Sequence, residues 1–113
     1  MPSELDLLQG TLDVLVLRAL TRRPMHGYAV ARFIHQGSDG AFTIFDGALY
    51  TALHRLEERT LVASEWGISN QGKRAKFYRL TPAGRRALTA ETNNWLEYVK
   101  AVAAVLKAVP EAT

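Results

Sequence analysis

Side chains able to act on a ligand gather in one stretch of the 113-residue chain, Asp46 to Leu80. Its second half carries Lys73, Arg74, Lys76 and Arg79, cations suited to the oxygens of a polyanion. Its first half carries Tyr50, Thr51, His54 and Arg55, whose polar groups can bond phosphates or base edges. Chemistry of other kinds is missing. His26, His35 and His54 form no i, i+4 pair and have no convincing Asp or Glu ligand nearby in sequence, so no metal site is expected. Ser3, Ser38, Ser64 and Ser69 lack a nucleophile-elbow context. Gly37-Ser38-Asp39-Gly40 lacks the Lys-Ser/Thr of a phosphate loop. With no grouping of acid, base and nucleophile, neither an enzyme nor a cofactor is expected.

The elements that must position these residues follow from periodicity. Leu49, Ala52, Leu53 and Leu56 recur at i, i+3, i+4 and i+7, which predicts a helix from Asp46 to Thr60 with those residues inward. The outer face then carries Gly47, Thr51, His54 and Glu58, with Tyr50 and Arg55 on its flanks. Asp46 is the expected N-cap. From Leu61 the pattern alternates: Val62, Ser64, Trp66 and Ile68 point one way, Leu61, Ala63 and Glu65 the other. Ser69-Asn70-Gln71-Gly72 supplies a turn, and Arg74 to Leu80 a second run, so a hairpin with a basic tip is expected. A helix with a polar outer face followed by such a hairpin is the arrangement of a winged helix-turn-helix. The helix would enter a major groove by its positive N-terminal end, and the hairpin would lie on phosphates. Gly47 lets the DNA backbone approach, and Tyr50 reaches a phosphate. Thr51 and His54 are the readers of base edges, with Arg55 either pairing with a guanine or bonding Glu58 one turn on. Lys73, Arg74 and Lys76 complete the contact set.

Composition sets outer bounds. The chain is 48% hydrophobic and 22% charged, an ordinary globular mixture sized for one small domain. It has no cysteine, hence no disulfide framework. No secretory leader is evident, and no apolar run nears the ~20 residues of a membrane span. Cytoplasmic location and no membrane partner are therefore expected. Net charge is +3 and segregated. Ile68 to Ala90 holds Lys73, Arg74, Lys76, Arg79, Arg85 and Arg86 without an acid, whereas Met1 to Leu17 holds Glu4, Asp6 and Asp13 without a base. This pattern is read either as a polyanion-binding face or as a solvated charged surface.

The remaining segments frame the stretch. Leu5 to Leu20 reads as a helix with two stripes, Leu5, Leu8, Leu12, Leu15, Ala19 and Leu7, Val14, Leu17. Such a helix is covered on several sides, by its own domain or by a partner subunit. Pro24 ends it, and a shorter helix starts at His26 and runs to Ile34. Ala41 to Phe45 is a candidate short strand. Thr81-Pro82 starts a helix running to about Ala108. Along it Leu88, Thr92, Trp95, Val99, Val102, Leu106 and Val109 alternate spacings of four and three, an a/d seam. Dimerisation through that seam is favoured over intramolecular packing. Trp95 is read as core, with a platform for planar ligands as the alternative. The expected class is mostly α with a small β-hairpin. Residues 1–81 form a winged helix-turn-helix DNA-binding domain and 82–113 a dimerisation helix, in one unit.

The residues themselves resemble a family. Leu8-Gln9-Gly10-Thr11-Leu12-Asp13-Val14-Leu15-Val16-Leu17, His26-Gly27-Tyr28, Gly47-Ala48-Leu49-Tyr50-Thr51-Ala52-Leu53-His54-Arg55-Leu56-Glu57 and Tyr78-Arg79-Leu80-Thr81-Pro82-Ala83-Gly84 are similar, in that order, to PadR-family transcriptional regulators. The single helix after the hairpin resembles the small branch of that family. The resemblance implies a dimeric repressor on a palindromic DNA operator. Its dimer would be built by the first and last helices, here Leu8 and Leu12 with Leu88, Trp95, Val99, Val102 and Leu106. It also implies control by small aromatic compounds between subunits, with Trp95 as the platform. By position, Tyr50 and its helix would meet DNA and Lys73-Arg74 would be the wing tip. This chain departs at Phe45 and Ala48, where many members have small polar residues, and at Thr51, where many have proline. The alternative function is a winged-helix module for protein assembly that binds no DNA. Such a module has no need of the basic hairpin.

Overall fold

The structure is a computed structural model that describes residues 10–111. Its elements run α1 Thr11–Ala19, β1 Met25–His26, α2 Gly27–Gly37, α3 Asp46–Glu58, β2 Val62–Ile68, β3 Arg74–Leu80 and α4 Pro82–Lys107. Three helices pack around a core closed on one side by the hairpin. Val16, Leu17 and Leu20 from the α1 segment, Val30 and Ile34 from α2, and Leu49, Ala52, Leu53 and Leu56 from α3 are all nearly inaccessible. The expected inward face of α3 is thus the buried one, and Gly47, Thr51, His54 and Glu58 are exposed. α1 is apolar nearly all round and is buried accordingly, with Leu12 and Leu15 left half-covered. Leu5, Leu7 and Leu8 of the expected stripes lie outside the described residues.

The hairpin pairs residue for residue from Val62↔Leu80 to Ile68↔Arg74. Its turn closes through Ser69 N–H to the Lys73 carbonyl, 2.8 Å, with Gly72 at φ 76° supplying the left-handed residue. β1 adds a third strand, in the order β1-β3-β2, with Met25↔Tyr78 and His26↔Phe77. The segment 41–45, a candidate strand by sequence, is instead irregular. Its polar groups go to α2: Phe42 N–H donates to Ser38 Oγ at 3.0 Å, and the Phe42 carbonyl faces His35 Nδ1 at 3.1 Å. Those groups are then not offered to a sheet.

The N-terminal caps of two helices differ from expectation. His26 caps α2 with its imidazole, Nδ1 accepting from Ala29 N–H at 3.2 Å, and so precedes the helix. Phe45 takes the cap position of α3, so Asp46 sits in the first turn and acts on the helix dipole without a side-chain cap bond. Thr81 and Pro82 start α4 as expected, Thr81 Oγ1 accepting from Gly84 N–H at 3.0 Å. The first turn of α4 presses on the hairpin. A Cβ at Gly84 would lie 2.0 Å from the Leu61 carbonyl oxygen, so only glycine fits.

Leu88 needs correction. The seam reading put it in a subunit interface, but it is 9% exposed within one chain. The N-terminal turns of α4 lie against α1 and β3, and Leu88 completes their core. Beyond Glu91, which meets Arg59 at 3.9 Å, most of the helix is exposed. Among the described residues no helix is long and apolar enough to cross a membrane.

Candidate nucleic-acid interface

Strand alternation divides the cations of the hairpin. Arg74, Lys76 and Tyr78 share one face of β3, and Arg79 lies on the other. On the first face Trp66 stands opposite Lys76, and Ser64 opposite Tyr78. Arg74 lies over the Trp66 indole, 4.5 Å from guanidinium carbon to ring centre, and Lys76 over the Tyr78 ring at 5.8 Å. Cation–π attraction favours both cations lying against these rings. The four clustered in sequence therefore do not act as one patch; Arg79 faces away.

Between this face and the helices runs an open groove of about 830 Å³. β3 and the turn line it with Lys73, Arg74 and Lys76, α3 with Tyr50 and His54, and α2 with Tyr28 and Arg32. Tyr50, His54, Lys73, Arg74 and Lys76, singled out from sequence, are thus brought together. Gly47 and Thr51 stand on the exposed outer face of α3, outside that groove. Tyr28, Arg32 and Trp66 were missed. Tyr28 is 68% exposed, with the Arg32 guanidinium 5.5 Å from its ring centre. The available signals were the i, i+4 spacing of Tyr28 and Arg32 and the recurrence of His26-Gly27-Tyr28 in the family pattern.

Close packing fixes the groove floor. A Cβ at Gly27 would come within 2.7 Å of the Tyr50 hydroxyl, so the phenol of α3 rests on bare backbone at the start of α2. Tyr78 is buried beside it. Burial, then the charge of Glu57, then Tyr50 push its phenol above the usual range. It stays a neutral donor at physiological pH.

Both flanks of α3 are braced by polar pairs. On the hairpin side Glu57 accepts from Ser64 Oγ at 2.6 Å and meets Lys76 Nζ at 3.9 Å. Glu57 is thus turned to the sheet. On the α1 side Arg55 Nε donates to Asp13 Oδ2 at 3.0 Å, and Arg55 Nη2 bonds Asp13 Oδ1. The partner of Arg55 within the chain is therefore Asp13, and not Glu58 one turn on. That hydrogen bonding, which outweighs the effect of burial, raises the Arg55 pKa further and keeps it charged. Among the described residues no three His, Asp or Glu side chains gather as a metal site.

On the seam, Trp95 stacks on Tyr98 with ring centres 5.7 Å apart and planes at 22°. Val99, Val102 and Leu106 are exposed beyond it, and Leu12 on α1 is half-covered. Leu8, also expected in an interface, lies outside the described residues.

Comparison with known proteins agrees with this geometry. Residues 16–90 match the transcriptional regulator PadR-like family. A PadR family transcriptional regulator from Eggerthella lenta shares 35% identity and superposes with a TM-score of 0.73, covering 89% of this chain and 86% of that one. A PadR family transcription regulator from Clostridium difficile shares 28% identity with a TM-score of 0.74, covering 86% of this chain and 99% of that one. A transcriptional regulator of Mycobacterium tuberculosis is 44% identical over 50 residues, which are 44% of this chain and 46% of that protein. The chain thus belongs to the PadR-like family of transcriptional regulators, and is a DNA-binding regulator and not an enzyme.

Proposed function

We propose that the protein is a homodimeric repressor that binds a palindromic operator in the cytoplasm and is released by a small aromatic ligand. The observation that carries the DNA part is the groove between α2, α3 and the hairpin. Its cations Arg32, Lys73, Arg74 and Lys76 flank an exposed helix face with Thr51 and His54. Phosphates on Tyr50, Lys73, Arg74 and Lys76 would set the register, and Thr51, His54 and Arg55 would meet base edges across Gly47. The dimer part rests on the uncovered apolar side of α4, and two-fold symmetry in the protein calls for a palindrome in the DNA. The effector part rests on the Trp95–Tyr98 stack, a planar apolar surface beside that interface.

The test is a titration of the DNA upstream of its own gene against a scrambled duplex at one salt concentration. The intact protein should bind the upstream duplex at least about a thousandfold tighter, the lower end for specific regulators. Thr51→Ala should lose about 1–3 kcal/mol on the upstream duplex and little on the scrambled one. Equal affinity of the intact protein for both would overturn the assignment of sequence reading to this face.

A further inference from the structure

The Asp13–Arg55 pair spans α1 and α3, and neither residue lines the groove. Asp13 sits among Val14, Val16 and Leu17 with its side chain only 12% exposed, whereas that of Arg55 is 48% exposed. The carboxylate takes the side edge of the guanidinium, Nε and one N–H of Nη2. A guanidinium has five N–H groups. The end edge, Nη1 with the second N–H of Nη2, remains as a two-donor fork. That fork matches O6 and N7 of guanine. An unheld arginine gives up rotamer freedom when it binds; here the carboxylate has already removed it. The same carboxylate offsets the charge of Arg55, so the side chain offers little to phosphates.

We propose that Asp13 is a positioning residue for sequence reading: it holds Arg55 so that its outward edge meets a guanine on the α1 side of α3. This rests on the assignment of α3 to the major groove.

The experiment compares Asp13→Asn, Arg55→Lys and the double variant with the intact protein. Each is titrated against the operator, a set of operators with single base-pair changes, and a scrambled duplex. Asp13→Asn should lower the operator-to-scrambled ratio by about five- to a hundredfold, the discrimination of one bidentate contact. Its loss and that of Arg55→Lys should fall on the same G·C pair, and the double variant should lose no more than either alone. Scrambled DNA should bind Asp13→Asn as tightly or tighter. Its log–log salt dependence should steepen by up to about 0.9, because a released guanidinium gains a phosphate. Circular dichroism at the binding temperature separates folding from reading, and Arg55→Lys, at a half-exposed site, supplies a variant that keeps the fold. A purely structural pair would lower the melting temperature and leave the ratio intact; that outcome overturns the proposal. So do losses at different base pairs, or additive losses. An intact protein that does not discriminate at all would overturn the DNA reading beneath it as well.

Discussion

Thr60 follows the last turn of α3 in the left-handed region, at φ 59°. Its N–H bonds the Glu57 carbonyl and that of Leu61 the Leu56 carbonyl, each at 2.9 Å, so the helix closes through a residue that cannot keep ordinary φ. For a β-branched side chain this conformation costs about 1–2 kcal/mol, whereas glycine adopts it freely and loses roughly 0.5–1 kcal/mol in unfolded-state entropy. Thr60→Gly should therefore raise stability by about 0.5–1 kcal/mol, read as a higher urea midpoint. A lower midpoint would mean that the Thr60 hydroxyl, which donates to the Arg59 carbonyl at 2.6 Å, holds the turn. Exposed side chains without donors at the start of α3 are a second local feature. Phe45 is 74% exposed and Ala48 is exposed beside it, at the end of α3 that would enter the groove. On the proposed reading, contact there would fall to backbone N–H groups and apolar surface, with Thr51 as the first side chain able to read a base.

At the scale of elements, the hairpin is the part whose proposed role separates most cleanly from reading. Lys73 and Arg74 stand at and beside the turn, and phosphate contacts carry no sequence information. Replacing both with alanine should weaken operator and scrambled DNA alike and flatten the log–log salt slope by about 0.9 per contact. Lys76→Ala should flatten it less, since Glu57 already shares that charge. A slope unchanged in the double variant would remove the hairpin from the DNA backbone. The long elements were legible in the sequence because their periods run for many residues. The apolar spacing of α3 and the paired runs of β2 and β3 each repeat often enough to set a face. β1 has two residues and no period to read, and it exists because Met25 and His26 meet the free edge of β3. Arg55 shows the other limit. Its partner is 42 positions away, while helical spacing within α3 offered Glu58. Only the packing of α1 across α3 brings Asp13 into reach.

For the whole molecule, the question is what covers α4. The chain has a radius of gyration of 16.7 Å, against about 13 Å for a compact domain of this length, because the 26-residue helix projects beyond the core. Leu88 is buried by its own domain, but Tyr98 is 57% exposed, Val99 44%, Val102 39%, Val105 74% and Leu106 79%. At 100° per residue these side chains with Trp95 fall within an arc of roughly 120°, one continuous stripe. Single-chain proteins rarely leave an apolar patch of more than about 300–600 Å² in water. A two-fold partner laying the same stripe against this one would cover both. Val99 lies midway along the length of the stripe and, among the described residues, is left half-exposed, so Val99→Asp should leave the monomer folded with an unchanged circular dichroism spectrum. In a two-fold interface the carboxylate enters twice. At about 2 kcal/mol or more for each unpaired group, the dimer loses about 4 kcal/mol. Its dissociation constant then rises by roughly a thousandfold. Analytical ultracentrifugation at micromolar concentration should find the intact protein dimeric and the variant monomeric. A monomeric intact protein would show that the stripe serves another partner, and a variant as dimeric as its parent would place the interface elsewhere on the chain.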